Sequence, residues 1–156
     1  MNIKNNSYWL VVCVTIALGL VAVLLGGCGK KEVSPQGGVI SEVKMAAAVD
    51  SNDRPLQPTS VFTVDAEAFY CSLRLSHFPL GTGIRAEWVY MGDEAAGGVA
   101  EKQVLRVNTS TIEGDGYTSV SLQRPPYAGV KWPKGDYKVV LYVEDEETAS
   151  VSFRVE

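Results

Sequence analysis

Ala68-Phe69-Tyr70-Cys71-Ser72-Leu73-Arg74-Leu75-Ser76 is the stretch whose reading decides the fold. Phe69, Cys71, Leu73 and Leu75 fall on one side of an extended chain, and Tyr70, Ser72, Arg74 and Ser76 fall on the other. A two-residue period marks a strand with one buried face, whereas a helix would space its apolar residues three and four apart. The alternation therefore predicts a β-strand that lines a core with every second side chain.

The same pattern recurs toward the C-terminus. After the loop Pro79-Leu80-Gly81-Thr82-Gly83, Ile84, Ala86, Trp88 and Tyr90 share a face opposite Arg85, Glu87 and Val89. Residues 92–98 lead to a weaker strand over residues 103–108. Gly114-Asp115-Gly116 is a strong turn signal, and it opens a strand over residues 117–123 with Thr118, Val120 and Leu122 on one face. Residues 124–135 form a long connection punctuated by proline and glycine. Tyr137, Val139, Leu141 and Val143 then point inward, as do Ala149, Val151, Phe153 and Val155, with Asp145-Glu146-Glu147 as the hairpin tip between them.

Toward the N-terminus, Ser51-Asn52-Asp53-Arg54-Pro55 turns the chain, and residues 61–64 make a short extended piece. Residues 39–49 read two ways. Met45-Ala46-Ala47-Ala48 has helix propensity, while residues 40–45 suit a first edge strand equally well. Seven or eight short strands, with turns about every 8 to 12 residues, predict an all-β fold, an antiparallel β-sandwich.

Three features resemble the immunoglobulin and fibronectin type III folds. Trp88 sits in the middle of the third main strand, where such sandwiches bury a tryptophan. Gly135-Asp136-Tyr137 opens the penultimate strand like a tyrosine corner, whose hydroxyl bonds back to nearby backbone. Cys71 and Val139 occupy the places where an antibody domain pairs two cysteines, Val139 lying two residues after Tyr137. Only one of the two is cysteine, so the resemblance implies a disulfide-free Ig-like module of the bacterial kind, over residues 40–156. A fold-level resemblance carries no function by itself.

The other end of the chain carries a different signal. Residues 1–7 are polar with Lys4 as their only charge, residues 8–25 are apolar apart from Thr15, and Leu25-Gly26-Gly27-Cys28 closes the run. A charged start, an apolar stretch and small residues before a processing site describe a secretory signal. Leu25-Gly26-Gly27-Cys28 resembles the lipobox of bacterial lipoprotein precursors. The resemblance implies cleavage before Cys28, with Leu25, Gly26 and Gly27 read by the signal peptidase. It also implies a diacylglyceryl thioether on Cys28 and an acylated amine, with chains such as palmitate. About 18 apolar residues also reach the lower limit for spanning a bilayer, so a retained transmembrane helix is the alternative. The order of aliphatic, glycines and thiol favours the lipoprotein. One acyl chain anchors weakly and two or more anchor stably. Gly29 stands where enterobacterial lipoproteins of the inner membrane carry a retention aspartate, which hints at the outer membrane.

The expected organisation is a signal peptide over residues 1–27, a lipidated start and flexible tether over 28–38, and the sandwich over 39–156. The cleaved chain would hold 129 residues, with 13 Lys and Arg against 18 Asp and Glu, a net charge of −5. That balance argues against nucleic-acid partners, which need basic patches. With Cys13 in the signal and Cys28 lipidated, Cys71 stands alone and no internal disulfide forms, so a hydrophobic core must supply stability.

No catalytic signature emerges. Cys71 lies among apolar residues on its strand face and reads as a small core hydrophobe rather than a thiol for chemistry. His77 is the single histidine; it lacks co-ligands for a metal and, even beside Ser76, an oriented nucleophile partner. Glu144-Asp145-Glu146-Glu147 offers carboxylates for calcium, but without the glycine and spaced ligands of a calcium loop, and reads as a solvated tip. The expectation is a non-enzyme without cofactor or metal. Tyr127 and Trp132 are the candidate ligand contacts. On the proline-stiffened loop they offer either a stacking platform for a sugar or protein partner, or, for Trp132, a plug for the open end of the sandwich below Tyr137. The expected partners are the membrane through Cys28 and an envelope protein or polysaccharide. The expected location is lipid-anchored at the cell membrane or outer membrane, facing the periplasm or exterior.

Overall fold

A computed structural model describes residues 37–93, 102–127 and 129–156, and the backbone of residues 32 and 33. The described residues belong to one unit, Lys31–Glu156. Residues 1–27 and Cys28 lie outside them.

Ten strands and no helix make up the described chain: β1 (Glu32–Val33), β2 (Val39–Val49), β3 (Pro55–Pro58), β4 (Val61–Phe62), β5 (Ala68–Ser76), β6 (Gly83–Gly92), β7 (Gln103–Thr111), β8 (Gly116–Gln123), β9 (Gly135–Val143) and β10 (Glu146–Val155). One sheet runs β1-β2-β5-β8, with β3 also on β2; the other runs β4-β10-β9-β6-β7. All pairings are antiparallel except the short β4·β10 contact. The all-β reading holds, with seven long strands supplemented by three of two to four residues.

The inward faces are those the alternation predicts. Phe69, Cys71, Leu73 and Leu75 of β5 are buried, and Tyr137, Val139, Leu141 and Val143 of β9 meet them in one core. Trp88 is 1% exposed, and its indole N–H donates to Asn108 Oδ1 on β7 at 2.9 Å. A buried indole without that partner would leave its donor unsatisfied. Val89, expected to face outward, is buried too, as is Val140. Val140 pairs across the strands with Glu87, beside Arg85 stacked on Tyr142, so charged and aromatic side chains flank an apolar strip on the outer face.

Residues 39–49 resolve to strand. Ile40 opposes Leu75, but one extra residue lies between Ser41 and Lys44, after which Met45 opposes Cys71. This β-bulge, with Glu42 at φ 52°, switches the inward set from even to odd positions, from Ile40 to Val43 and Met45. Two elements differ from the sequence reading. Glu32 and Val33, placed in the tether, pair with Ile40 and Val39. The hairpin tip is Glu144-Asp145, both at positive φ, with Glu146 already paired to Val143. Two consecutive left-handed residues match the twist of flanking strands, which is why such two-residue turns dominate hairpins.

The corner before β9 forms as predicted. Tyr137 Oη donates to Pro133 O at 2.7 Å, four residues upstream. Gly135 stands at φ +134°, and a Cβ there would come within 2.3 Å of Gly92 O on β6. Tyr137→Phe removes one hydrogen bond and should cost about 1 kcal/mol in urea unfolding. Gly135→Ala forces both backbone strain and strand separation, so its loss should exceed that of Tyr137→Phe, by about 1 kcal/mol or more.

Candidate functional site

The long connection between β8 and β9 begins with Arg124-Pro125-Pro126, where two residues lack an N–H and cannot extend a sheet ladder. The loop is pinned instead at particular points. Arg124 N–H donates to Glu67 O at 2.9 Å, and Arg124 Nη1 donates to Val130 O at 3.1 Å. Val130 N–H closes a wide turn on Tyr127 O at 3.4 Å.

The two aromatic residues of the loop part ways. Tyr127 is 75% exposed. Trp132 is 8% exposed; its ring lies 4.6 Å from that of Phe69, and its indole N–H donates to Ala66 O at 2.7 Å. Of the two expectations for Trp132, the structure gives the plug. Its face is committed to Phe69 and its donor to backbone, so the pairing of Trp132 with Tyr127 as a stacking platform is corrected: Tyr127 alone remains available. Beside the loop, Lys131 and Asp65 form an exposed ion pair at 3.4 Å, which contributes little to stability.

The remaining candidates are scattered. Cys71 is fully buried in the core, and burial pushes its thiol up to about 12. His77 sits exposed in a loop at φ 62°, with its backbone N–H donating to Asp115 Oδ1 at 2.7 Å. In the acidic run, Glu144 Oε1 accepts Gly83 N–H at 2.6 Å, Asp145 faces Arg85 at 3.5 Å and Glu147 faces Lys138 at 3.9 Å. These three carboxylates each face a different partner, and they do not converge on one point. The lipobox residues Leu25, Gly26, Gly27 and Cys28 lie outside the described residues.

One cluster had no signal in the sequence. On the outer face of the first sheet, Tyr117 Oη donates to Glu42 Oε2 at 2.6 Å, and Arg74 reaches Glu42 Oε1 at 3.2 Å. The guanidinium groups of Arg54 and Arg74 lie 5.5 and 5.9 Å from the Tyr117 ring centre. The Tyr117 hydroxyl and the Arg74 guanidinium hold the Glu42 carboxyl below its usual range. Glu42 and Tyr117 lie 75 residues apart, and only the β2 bulge aims Glu42 at β8. Below them, Asp53 accepts from Ser119 at 2.5 Å and, through its carbonyl, from Ser72 at 2.6 Å. These bonds fasten the β2–β3 turn across the sheet, which is why Ser72 is buried despite facing outward.

No protein-family model matches the chain, and no curated protein matches it. Among solved structures it is similar to an immunoglobulin-like protein from Pseudomonas aeruginosa, at 16% identity and a TM-score of 0.50, covering 74% of this chain and 93% of that one. An alkylpurine DNA glycosylase from Pseudomonas fluorescens shares 15% identity at a TM-score of 0.44, and a β-glucosidase from Listeria innocua 9% at 0.40. The match spans 30% of the glycosylase and 16% of the glucosidase. The chain has an immunoglobulin-like β-sandwich fold.

The buried thiol makes a pH prediction. The folded state keeps the Cys71 proton above the pH near 8.5 at which an unfolded cysteine releases it. Cys71 should therefore contribute its full stability below that pH and lose it as pH rises toward about 12. Unfolding midpoints should fall through this window and fall less in Cys71→Ala. Near neutral pH, peptide mapping should find Cys71 unmodified by iodoacetamide in the native protein and modified once it is denatured.

Proposed function

We propose that this chain is a lipid-anchored lipoprotein of the cell envelope, whose Ig-like domain is a non-catalytic interaction or accessory module. The observation that carries the reading is Leu25-Gly26-Gly27-Cys28 at the end of an apolar run. Its small residues and thiol are the chemistry that lipoprotein processing requires. An all-β body that stabilises itself through an apolar core, with no disulfide, suits a short chain exported and tethered by its first residue. Among the described residues, no helix is long and apolar enough to cross a membrane.

The non-catalytic part of the reading rests on the candidate groups themselves. The Cys71 thiol is held protonated in the core, His77 stands in an exposed loop, and Glu144, Asp145 and Glu147 are engaged by separate partners. Acid, base and nucleophile do not converge among them, as a hydrolytic site would require.

Intact-mass analysis of the full chain expressed in a bacterium tests the anchor. The wild-type protein should lose residues 1–27 and gain acyl mass on Cys28. Cys28→Ala should keep residues 1–27 and gain none. A wild-type protein that begins at Met1 without added mass would overturn the reading.

A further inference from the structure

A cleft of about 650 Å³ opens between the 59–68 connection and the ends of β2, β5 and β8; Thr59, Glu67, Tyr70, Gln123 and Arg124 line it, with alanines, Val61 and Phe62 between them. A second cleft, about 450 Å³, shares Glu67 and Arg124 with the first and continues along the loop to Tyr127. Together they make a path with a tyrosine on each side of a carboxylate and a guanidinium.

We propose that this path binds an extended, uncharged oligosaccharide, with Tyr70 and Tyr127 as stacking faces and Glu67, Gln123 and Arg124 as hydrogen-bonding groups. The composition of the walls selects the ligand class. An apolar ligand would strip water from Glu67, Gln123 and Arg124 without replacing it. A strongly anionic ligand would meet one guanidinium offset by one carboxylate. A sugar ring answers both requirements: its neighbouring hydroxyls match the paired atoms of carboxylate, amide and guanidinium, and its C–H faces pack on aromatic rings. Two adjoining clefts fit more than one ring.

The path is held in shape before any ligand arrives. Arg124 N–H is bonded to Glu67 O, which fixes the two charged residues side by side. Behind the 64–68 segment, Trp132 donates its backbone N–H to Val64 O at 2.9 Å and its indole N–H to Ala66 O at 2.7 Å. Ala66 itself lines the first cleft. Trp132 therefore supports the wall instead of touching ligand, and rigid walls reduce the ordering cost of binding. Because it is bonded to the wall, its emission reports on occupancy.

The choice of envelope glycans as probes rests on the envelope reading above; the stereochemistry of the cleft does not. The full chain, purified in a detergent without a sugar headgroup, is titrated with chitotetraose and cellotetraose and pulled down with isolated peptidoglycan sacculi. Binding to at least one probe with a shift in tryptophan emission is expected, and Tyr127→Ala should weaken it about tenfold. Glu67→Gln, which keeps the shape and removes the charge, should weaken it as well. Tyr127 is exposed, so its variant should keep the wild-type unfolding midpoint. Absence of binding to all three probes up to about 10 mM sugar, or binding unchanged in both variants, overturns the proposal. If the purified chain carries its lipid and binds none, the cleft proposal alone fails; if it lacks the lipid but binds, the envelope reading alone fails.

Discussion

The ring of Phe69 is the contact on which the arrangement of this sandwich depends. Phe62 approaches it edge-on at 4.9 Å, Trp132 lies at 4.6 Å, Phe153 at 5.0 Å and Tyr137 at 6.0 Å. These residues come from β4, β5, the β8–β9 connection, β9 and β10, so one aromatic cluster joins both sheets to the longest loop. Tyr137 stacks on Phe153 at 5.1 Å and extends to Tyr90 at 5.0 Å. Offset and edge-on aromatic pairs add about 0.5–1.5 kcal/mol each beyond area burial. In a chain whose one described cysteine is free, that cluster takes the place of the covalent link between the sheets that antibody domains use.

Burying tyrosine and tryptophan imposes a second requirement, since each brings a polar atom with it. Trp88 gives its proton to Asn108, Trp132 to Ala66 O, and Tyr137 to Pro133 O. No buried side-chain nitrogen or oxygen among the described residues lacks a partner. Each bond also ties down a piece of chain at the margin of the sheets: the edge strand β7, the 64–67 segment and the loop before β9. The same economy extends to the outer face, where Asp53 and Glu42 fasten turns and strands through Ser72, Ser119, Arg74 and Tyr117. One wall of the cleft is placed by the core, because Ala66, which lines it, is held from behind by Trp132.

Where the strands alternate without interruption, the sequence was readable. Residues 68–76, 84–90 and 137–143 carry their inward residues at every second position, and the structure buries those positions, Tyr90 only in part. The Tyr137 corner was readable because its donor and acceptor are four residues apart. Residues 39–49 were not, since the bulge after Ser41 shifts the inward set by one and breaks the two-residue period. Glu32 and Val33 could not be recognised as a strand, because two residues pair only when a longer strand is already in place beside them. Tyr127 and Trp132 stood as equals in the sequence: both are aromatic, both lie among prolines and glycines, and neither belongs to a periodic segment.

The amino-acid pattern was enough for the all-β class, the inward faces of the strands that alternate without a bulge, the place of Cys71 in the core and an apolar run ending in Leu25-Gly26-Gly27-Cys28. These are local properties, written in period, composition and spacing. Tertiary structure alone decided that Trp132 turns into the core while Tyr127 turns out, that Glu42 meets Tyr117, and that Glu67, Tyr70 and Arg124 share a wall. Those outcomes depend on contacts between residues distant in the chain, and a side chain's direction in an irregular loop is set by whatever surface the folded sheets present to it.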